Sequence, residues 1–286
     1  MELQQLIRDA GNLVSLPEIY YRAQELLEDP HCDCGKLGKV IETDAGLTSR
    51  LLAIANSAYF GASKRIDRVS QAITQIGFQS LQDLILSTVV LRAFNKISTQ
   101  LIDLSTFWHH SLYCGLAARE LAKRKGVLHR ERMLVAGIVH DVGQLLLYQM
   151  QPESAQQALT QAEESDDGLY VAERAVFSYT HADVGAELLK SWKLPESLQA
   201  AVRYHHDPAA AGTDILDASL LHLANHIANQ IEPGRPMNGC EPRIASVAWE
   251  ITGFSEDIVE PVLSQANDQF LETLDLLMPR KQAGYR

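Results

Sequence analysis

Met133-Leu-Val-Ala-Gly-Ile-Val-His140-Asp141-Val-Gly-Gln-Leu-Leu-Leu-Tyr148 is an apolar run with an imidazole and a carboxylate set in its middle. Its length and its apolar pattern predict one buried helix over Glu131–Tyr148. An unpaired ionised carboxylate in such surroundings costs on the order of 3–5 kcal/mol, so the Asp141 charge needs a compensating partner. His140 beside it is one candidate. A metal ion is the other, because more histidines stand elsewhere in the chain: His110 in Trp108-His-His-Ser111, His181 after Thr180, and the doublet His205-His206.

Outward from this run, nearly every long segment repeats at helical period. Leu104–Lys125 reads as one helix bearing His110. The polar stretch from Met150 to Asp167 reads as a polar-faced helix and a loop. Thr180-His-Ala-Asp183 has a hydroxyl at the N-cap position and a carboxylate three residues on, which places His181 in the first turn of a helix running to about Trp192. A further helix opens at Leu194-Pro-Glu196, with His205-His206 near its C-terminal end and Pro208 just beyond. Asp217–Gln230 is another, Glu232–Gly239 is a loop, and two more helices run to about Leu277. Towards the N-terminus, Leu16–Leu27, Asp44–Asn56, Val69–Gly77 and Leu81–Phe94 each show an apolar helical face, with Tyr59 and Phe60 expected in the core. No run of alternating β-branched residues bounded by hairpin turns is present. The expectation is an all-α chain in three parts: an N-terminal helical part over 1–100, a helical bundle carrying the histidines over 101–230, and C-terminal helices over 231–286 that pack on it.

Composition narrows the function classes. Hydrophobic residues make up 46% of the 286 residues and charged residues 21%, the balance of a globular protein. A formal charge of −11 argues against a nucleic-acid binder, since contacts to phosphates need an excess of Lys and Arg. Residues 1–13 lack the apolar core of a signal peptide. Apolar stretches such as Leu84–Leu91 fall short of the roughly 18–20 residues of a membrane span. Four cysteines do not make a disulfide framework in a chain this long, so a reduced cytoplasmic protein is expected. His31-Cys-Asp-Cys34 carries two thiols and an imidazole but has no second Cys or His cluster near it. Exposed loop thiols, rather than a zinc site, are the reading for that stretch.

Several of these motifs, in this order, carry a family likeness. Asp44 with Leu47-Thr48, Leu51-Leu52 and Asn56-Ser-Ala-Tyr-Phe-Gly61 resembles the opening signature of HDOD domains, the HD-related output domains. Ala72-Ile73 and Ile76-Gly77 follow, then Trp108-His-His-Ser111, Ala136-Gly-Ile-Val-His-Asp-Val-Gly143, His181-Ala-Asp-Val-Gly185, Leu194-Pro-Glu196 and Tyr204-His-His-Asp-Pro208. The likeness covers roughly residues 10–230. It implies an HD-domain-like multi-helical bundle with an N-terminal helical subdomain. It also implies a bacterial signalling role as an output or adaptor, often beside receiver or diguanylate-cyclase domains, and a place in the HD superfamily of metal-dependent phosphohydrolases. The related HD-GYP domains hydrolyse cyclic di-GMP, and this chain departs from them. It has no Gly-Tyr-Pro tripeptide, Gln144 stands where they carry Lys, and Thr106 where they place Glu. Ala224-Asn225 stands where HD proteins end their ligand set with Asp.

The resemblance implies a ligand set of His110, His140, Asp141, His181, His205 and His206. Metal-assisted phosphodiester hydrolysis uses two metals roughly 3.5–4 Å apart that a carboxylate can bridge. Asp141 would be that bridge and the one catalytic candidate, with His110 and His140 on one metal and His181, His205 and His206 on the other. One or two divalent ions of Fe, Mn, Zn or Ni suit such ligands better than Mg, if the site holds any. Asn225 offers a neutral oxygen in place of an anion, and Gln144 offers no positive charge to a phosphate. Plainer readings stand beside this one. His205-His206 can serve as a helix C-terminal cap, and Asp141 can be neutralised by a neighbouring Arg or His. His109, about 100° round the helix from His110, is expected in solvent, and His222 and His226 in surface or packing roles.

Three functions compete. The first is a non-catalytic two-component or similar signal-transduction module that binds receiver, cyclase or kinase proteins, the reading favoured by the missing Lys and Asp. The second is a metal-dependent phosphohydrolase acting on a cyclic dinucleotide or nucleotide. The third is a nucleotide-sensing module without turnover. No nucleic acid or membrane is expected as a partner. A homodimer through Ile258, Val262, Phe270 and Leu274 competes with a core role for those residues.

Overall fold

The structure, a computed structural model, describes residues 1–57, 60, 65–94, 97–165, 168–231 and 244–278. It is all-α, with no strand among the described residues. The chain divides into two compact units, one of residues 16–95 and 269–286, the other of residues 1–15 and 96–268. Residues 1–15, expected with the N-terminal part, therefore group with the histidines. Their helix α1 (Leu3–Ala10) buries Leu6, Ile7 and Ala10 and packs on the helix that opens at His181, while Met1 O accepts from the Tyr179 hydroxyl at 3.0 Å.

The unit of residues 16–95 contains α2 (Glu18–Glu28), α3 (Cys34–Ile41), α4 (Ala45–Ala55), α5 (Val69–Ile76) and α6 (Phe78–Ala93). Aspartates start two of them: Asp33 accepts the Lys36 amide and Asp44 the Leu47 amide, each at 2.8 Å. Asp44 also binds Arg92 of α6 at 2.9 Å. Gly77, at φ 86°, turns α5 directly into α6, a backbone conformation that favours glycine. Helix α6 is buried from Asp83 through Leu91, and its Ser87 and Thr88 hydroxyls return to the carbonyls of Asp83 and Leu84 at 3.0 Å. Cys32 lies in the expected loop, but Cys34 does not, and neither thiol is fully exposed. Asp33 caps α3, Cys34 is its first residue, and both thiols are free and half-buried. Phe60 is half-buried rather than core, and Tyr59 lies outside the described residues, as does the expected loop at 232–239.

The other unit continues with α7 (Leu104–Lys125), α8 (Glu131–Val139), α9 (Val142–Met150), α10 (Pro152–Glu164), α11 (Leu169–Phe177), α12 (His181–Ser191) and α13 (Glu196–Arg203). A 3-10 segment (Pro208–Asp214), α14 (Ile215–Asn229) and α15 (Ser246–Thr252) follow. α7 lies against α8 and α14, α9 and α13 against α12, and α15 against α14. Two close approaches set this packing. A Cβ on Gly137 would overlap the backbone of Gly115, and one on Gly143 would overlap the His181 carbonyl oxygen. Glycine at both positions lets α7 meet α8, and α9 meet the start of α12, backbone to backbone.

The expected single helix over 131–148 is two. α8 ends at Val139 and α9 begins at Val142, with Asp141 between them at φ −105°, ψ 5°. Residues 131–150 are also longer and more apolar than the sequence reading allowed. By length and apolar composition this stretch could cross a membrane, but most of its residues are buried in the core as the pair α8–α9. The last described helix, α16 (Val259–Leu277), buries Val262, Ala266, Phe270 and Leu277 at helical spacing. Two of the four residues weighed for a dimer, Val262 and Phe270, are thus covered within the chain.

Candidate metal centre

Each expected ligand comes from a place where the local sequence forces its direction. His110 sits inside α7, capped at its start by the Asp103 carboxylate on the Thr106 amide at 2.8 Å. His140 and Asp141 occupy the break between α8 and α9, and Asp141 adopts the sparsely populated bridge conformation common in active sites. His181 is the first residue of α12, held by the capping box of Thr180 and Asp183. His205 and His206 lie in the turn after α13 ends at Arg203.

All six come together, in two groups that share Asp141. One is His110, His140 and Asp141; the other is Asp141, His181, His205 and His206. Within each, the potential ligand atoms lie within 4.8 Å of one another. The Asp141 carboxylate divides itself between them. Its Oδ2 is 3.3 Å from His140 Nε2, and its Oδ1 is 3.2 Å from His181 Nε2 and 3.6 Å from His205 Nε2. Five of the six are buried, and His206 is half-buried at the edge.

Behind the ligands, backbone carbonyls and a carboxylate set the tautomers. His140 Nδ1 lies 2.8 Å from Gly137 O, and His205 Nδ1 lies 2.7 Å from Val202 O. A carbonyl only accepts, so each Nδ1 carries a proton, and in the neutral ring each Nε2 turns a lone pair inward. Neither Nε2 makes a hydrogen bond, and both are buried. His181 Nδ1 faces Glu173 Oε2 at 2.6 Å, and the same oxygen accepts the His181 backbone amide at 2.8 Å. Its Nε2 is 3.0 Å from His206 Nε2, and the Tyr170 ring stacks on His206 at 4.6 Å with 7° between planes.

The charges follow from this packing. Burial would raise the Asp141 pKa, but His140 and His181 outweigh it and hold the carboxylate well below its usual range. Burial opposes charging His181, yet Glu173 and then Asp141 push it up to about 10. His140 is raised in the same way, burial being overcome chiefly by Asp141. His205 and His206 are pushed well down, by burial first and by neighbouring histidines second. Without a metal, the Asp141 and Glu173 carboxylates thus favour the protonated form of the His140 and His181 rings beside them. A divalent cation can replace those protons, since metal and proton compete for the same lone pairs.

The residues fit divalent ions. Inward Nε2 lone pairs that no hydrogen bond claims, a carboxylate facing both groups, and imidazole-rich ligands match the preferences of Fe, Mn, Zn or Ni. Sequence reasoning missed Glu173 and Tyr170. Glu173, only 1% exposed, stands in a short helix whose one sequence signal is an acidic residue beside buried Ala172. His109 is half-buried rather than solvated. His222 is buried and bonded, and His226 is half-buried; neither joins a ligand group. Gln144 is buried and accepts from the Tyr148 hydroxyl at 3.5 Å, while exposed Thr106 donates its hydroxyl to Asp103 at 3.1 Å. Asn225 is half-buried, with its buried Oδ1 making no hydrogen bond.

Comparison with known proteins shows the family and the fold. The HDOD domain family model matches residues 13–208, well over half of the chain. The chain belongs to the HDOD family. Among solved structures, an HDOD domain protein of unknown function from Geobacter sulfurreducens superposes with a TM-score of 0.70 at 23% identity, covering 96% of this chain and 98% of that one. A protein from Shewanella amazonensis whose name proposes a phosphohydrolase gives 0.72 at 22% identity, covering 95% and 97%. At these identities the likeness is one of fold. An uncharacterised protein of Treponema pallidum is 27% identical over 201 residues, 68% of this HDOD chain but only 38% of that relative's length.

Proposed function

We propose that this HDOD chain is a regulatory module whose buried centre holds two divalent ions, and that the metal-loaded centre controls binding to a signalling protein rather than turnover. The observation that carries this reading is the divided Asp141 carboxylate. Its two oxygens face two histidine groups, and His140, His181 and His205 are each oriented from behind by a carbonyl or a buried carboxylate. Rings that only filled a core would not need Nε2 left without a hydrogen bond, as in His140 and His205, because such burial costs about 1–3 kcal/mol per group.

A second reading, phosphohydrolase, is favoured by the same shared carboxylate. Bound ions would lower the pKa of a water and polarise a phosphoryl oxygen. The chain's own residues supply less. Asp141 would orient the ions, but Gln144 is buried against Tyr148 and carries no charge for a phosphate. Arg174 and Arg203, near His181 and His205 in sequence, are engaged by Asp183 and, for Arg203, Glu187. For that reason regulation is placed first.

Elemental analysis of protein purified without chelator or nickel affinity tests both. About two divalent ions per chain are expected, lost in Asp141→Ala, with no cleavage of a bis-aryl phosphodiester by the Mn- or Fe-loaded protein. Cleavage abolished by Asp141→Ala would put the phosphohydrolase reading first. Protein that takes up no metal after incubation with Mn, Fe or Zn would overturn both.

A further inference from the structure

His222 belongs to neither ligand group, yet it is buried and both of its ring nitrogens are committed. Its Nδ1 faces the carbonyl oxygen of His205 at 2.8 Å, and its Nε2 accepts the backbone amide of Ala245 at 3.0 Å. A carbonyl only accepts and an amide only donates, so the tautomer is settled: Nδ1 carries the proton and Nε2 the lone pair. The ring is a neutral bridge between two backbone groups distant in sequence. On one side is the peptide joining His205 to His206, which carries two of the ligands. On the other is Ala245, the residue that opens α15, a helix packed on the same α14 that bears His222. Both α14 and α15 lie beyond residue 208, where the family match ends.

We infer that His222 is a positioning residue that couples α15 to the metal centre, fixing the His205–His206 peptide while holding the start of α15. This rests on the metal-centre reading. Because coupling between sites is reciprocal, metal that orders the His205–His206 turn must tighten α15, and a partner that displaces α15 must weaken the metal by the same factor.

Two half-mimics separate the bonds. Asparagine carries its amide on Cγ, level with the imidazole Nδ1, so His222→Asn keeps the donor to His205 O and gives up the Ala245 bond. Glutamine carries its amide on Cδ, level with Nε2, so His222→Gln keeps the Ala245 bond and gives up the His205 one. The experiment is a Mn titration of the full chain with hydrogen exchange followed over residues 203–208 and 245–252. In the wild type, Mn should slow exchange in both segments. His222→Gln should weaken Mn binding by about ten- to a hundredfold, the usual effect of losing support behind a ligand. His222→Asn should bind Mn close to wild type while α15 no longer responds to it. Equal behaviour of the two variants, or an α15 that responds to Mn in both, would overturn the inference. If wild type binds no metal, the metal-centre reading falls by itself, and the coupling is read in the metal-free protein. There, His222→Ala must speed exchange in both segments, and a change confined to one overturns it.

Discussion

Glu173 reaches His181 twice, through the backbone amide at 2.8 Å and through the ring Nδ1 at 2.6 Å. One buried carboxylate thus fixes where α12 begins, which way the imidazole faces, and how strongly its Nε2 can donate to a cation. Glu173→Gln keeps the shape and removes the charge. The expected result is a Mn or Zn titration in which one of two binding steps weakens by about tenfold or more while the other holds, because only the His181 group loses its support. The His181 pKa should fall from about 10 in the same variant, as its larger charged neighbour is gone. Equal weakening of both steps would mean that the two groups do not act separately. The six ligands were legible in the sequence because titratable residues inside apolar runs are conspicuous and their order matched a known family. Glu173 was not, since a glutamate in a short amphipathic helix looks like any solvent-facing one until tertiary packing covers it. His222, with His226 four residues on, looked like a packing residue for the same reason.

Helix starts and breaks decide where these side chains go. α4 begins at Asp44, whose carboxylate accepts the Leu47 amide and pairs with Arg92 of α6. Partial burial opposes its charge, but the Leu47 amide and Arg92 together hold its pKa below the usual value. A carboxyl whose folded pKa is depressed stabilises the fold above its unfolded pKa, and that contribution is lost as pH falls through the folded value. Asp44→Ala should therefore cost about 0.5–2 kcal/mol at neutral pH, the usual range for a lost N-cap, with little added by the part-exposed ion pair. In urea melts from pH 7 downwards, the gap between wild type and variant should begin to close below about pH 4 and go on closing until the folded carboxyl is protonated. A gap undiminished at pH 2 would place the effect in something other than the Asp44 charge. Caps of this kind are readable in sequence, as the Thr180–Asp183 box was. The break between α8 and α9 is not. Residues 131–148 have an unbroken apolar pattern; at the break Gly143 fits against the His181 carbonyl, a tertiary contact, and the His140 ring turns back to Gly137 O three residues earlier. Local periodicity carries no record of either contact.

At the scale of the whole molecule, the ligands are unevenly placed. Both groups lie wholly within the unit of residues 1–15 and 96–268, and residues 16–95 supply none of them. The all-α class and the order of most helices follow from apolar periodicity, which a chain must keep wherever its helices pack. The grouping of residues 1–15 with the histidines does not, because it rests on contacts of α1 with α12 that no local pattern encodes. The uneven placement has a measurable consequence. A ligand bound only by the folded state stabilises what holds it by RT ln(1 + [L]/Kd), about 2.7 kcal/mol at a hundredfold excess over Kd. Hydrogen exchange should then slow by about a hundredfold for the most protected amides of α7, α8 and α14 when Mn is present at that excess. Those of α4 and α6 should stay unchanged. With a formal charge of −11 the surface will also attract divalent cations loosely, so Asp141→Ala is the control. Slowing that survives in Asp141→Ala would belong to the surface rather than the buried centre. Equal slowing of α6 in the wild type would mean that the two units open together, and metal bound with no slowing of α7 would put it somewhere other than His110, His140 and Asp141.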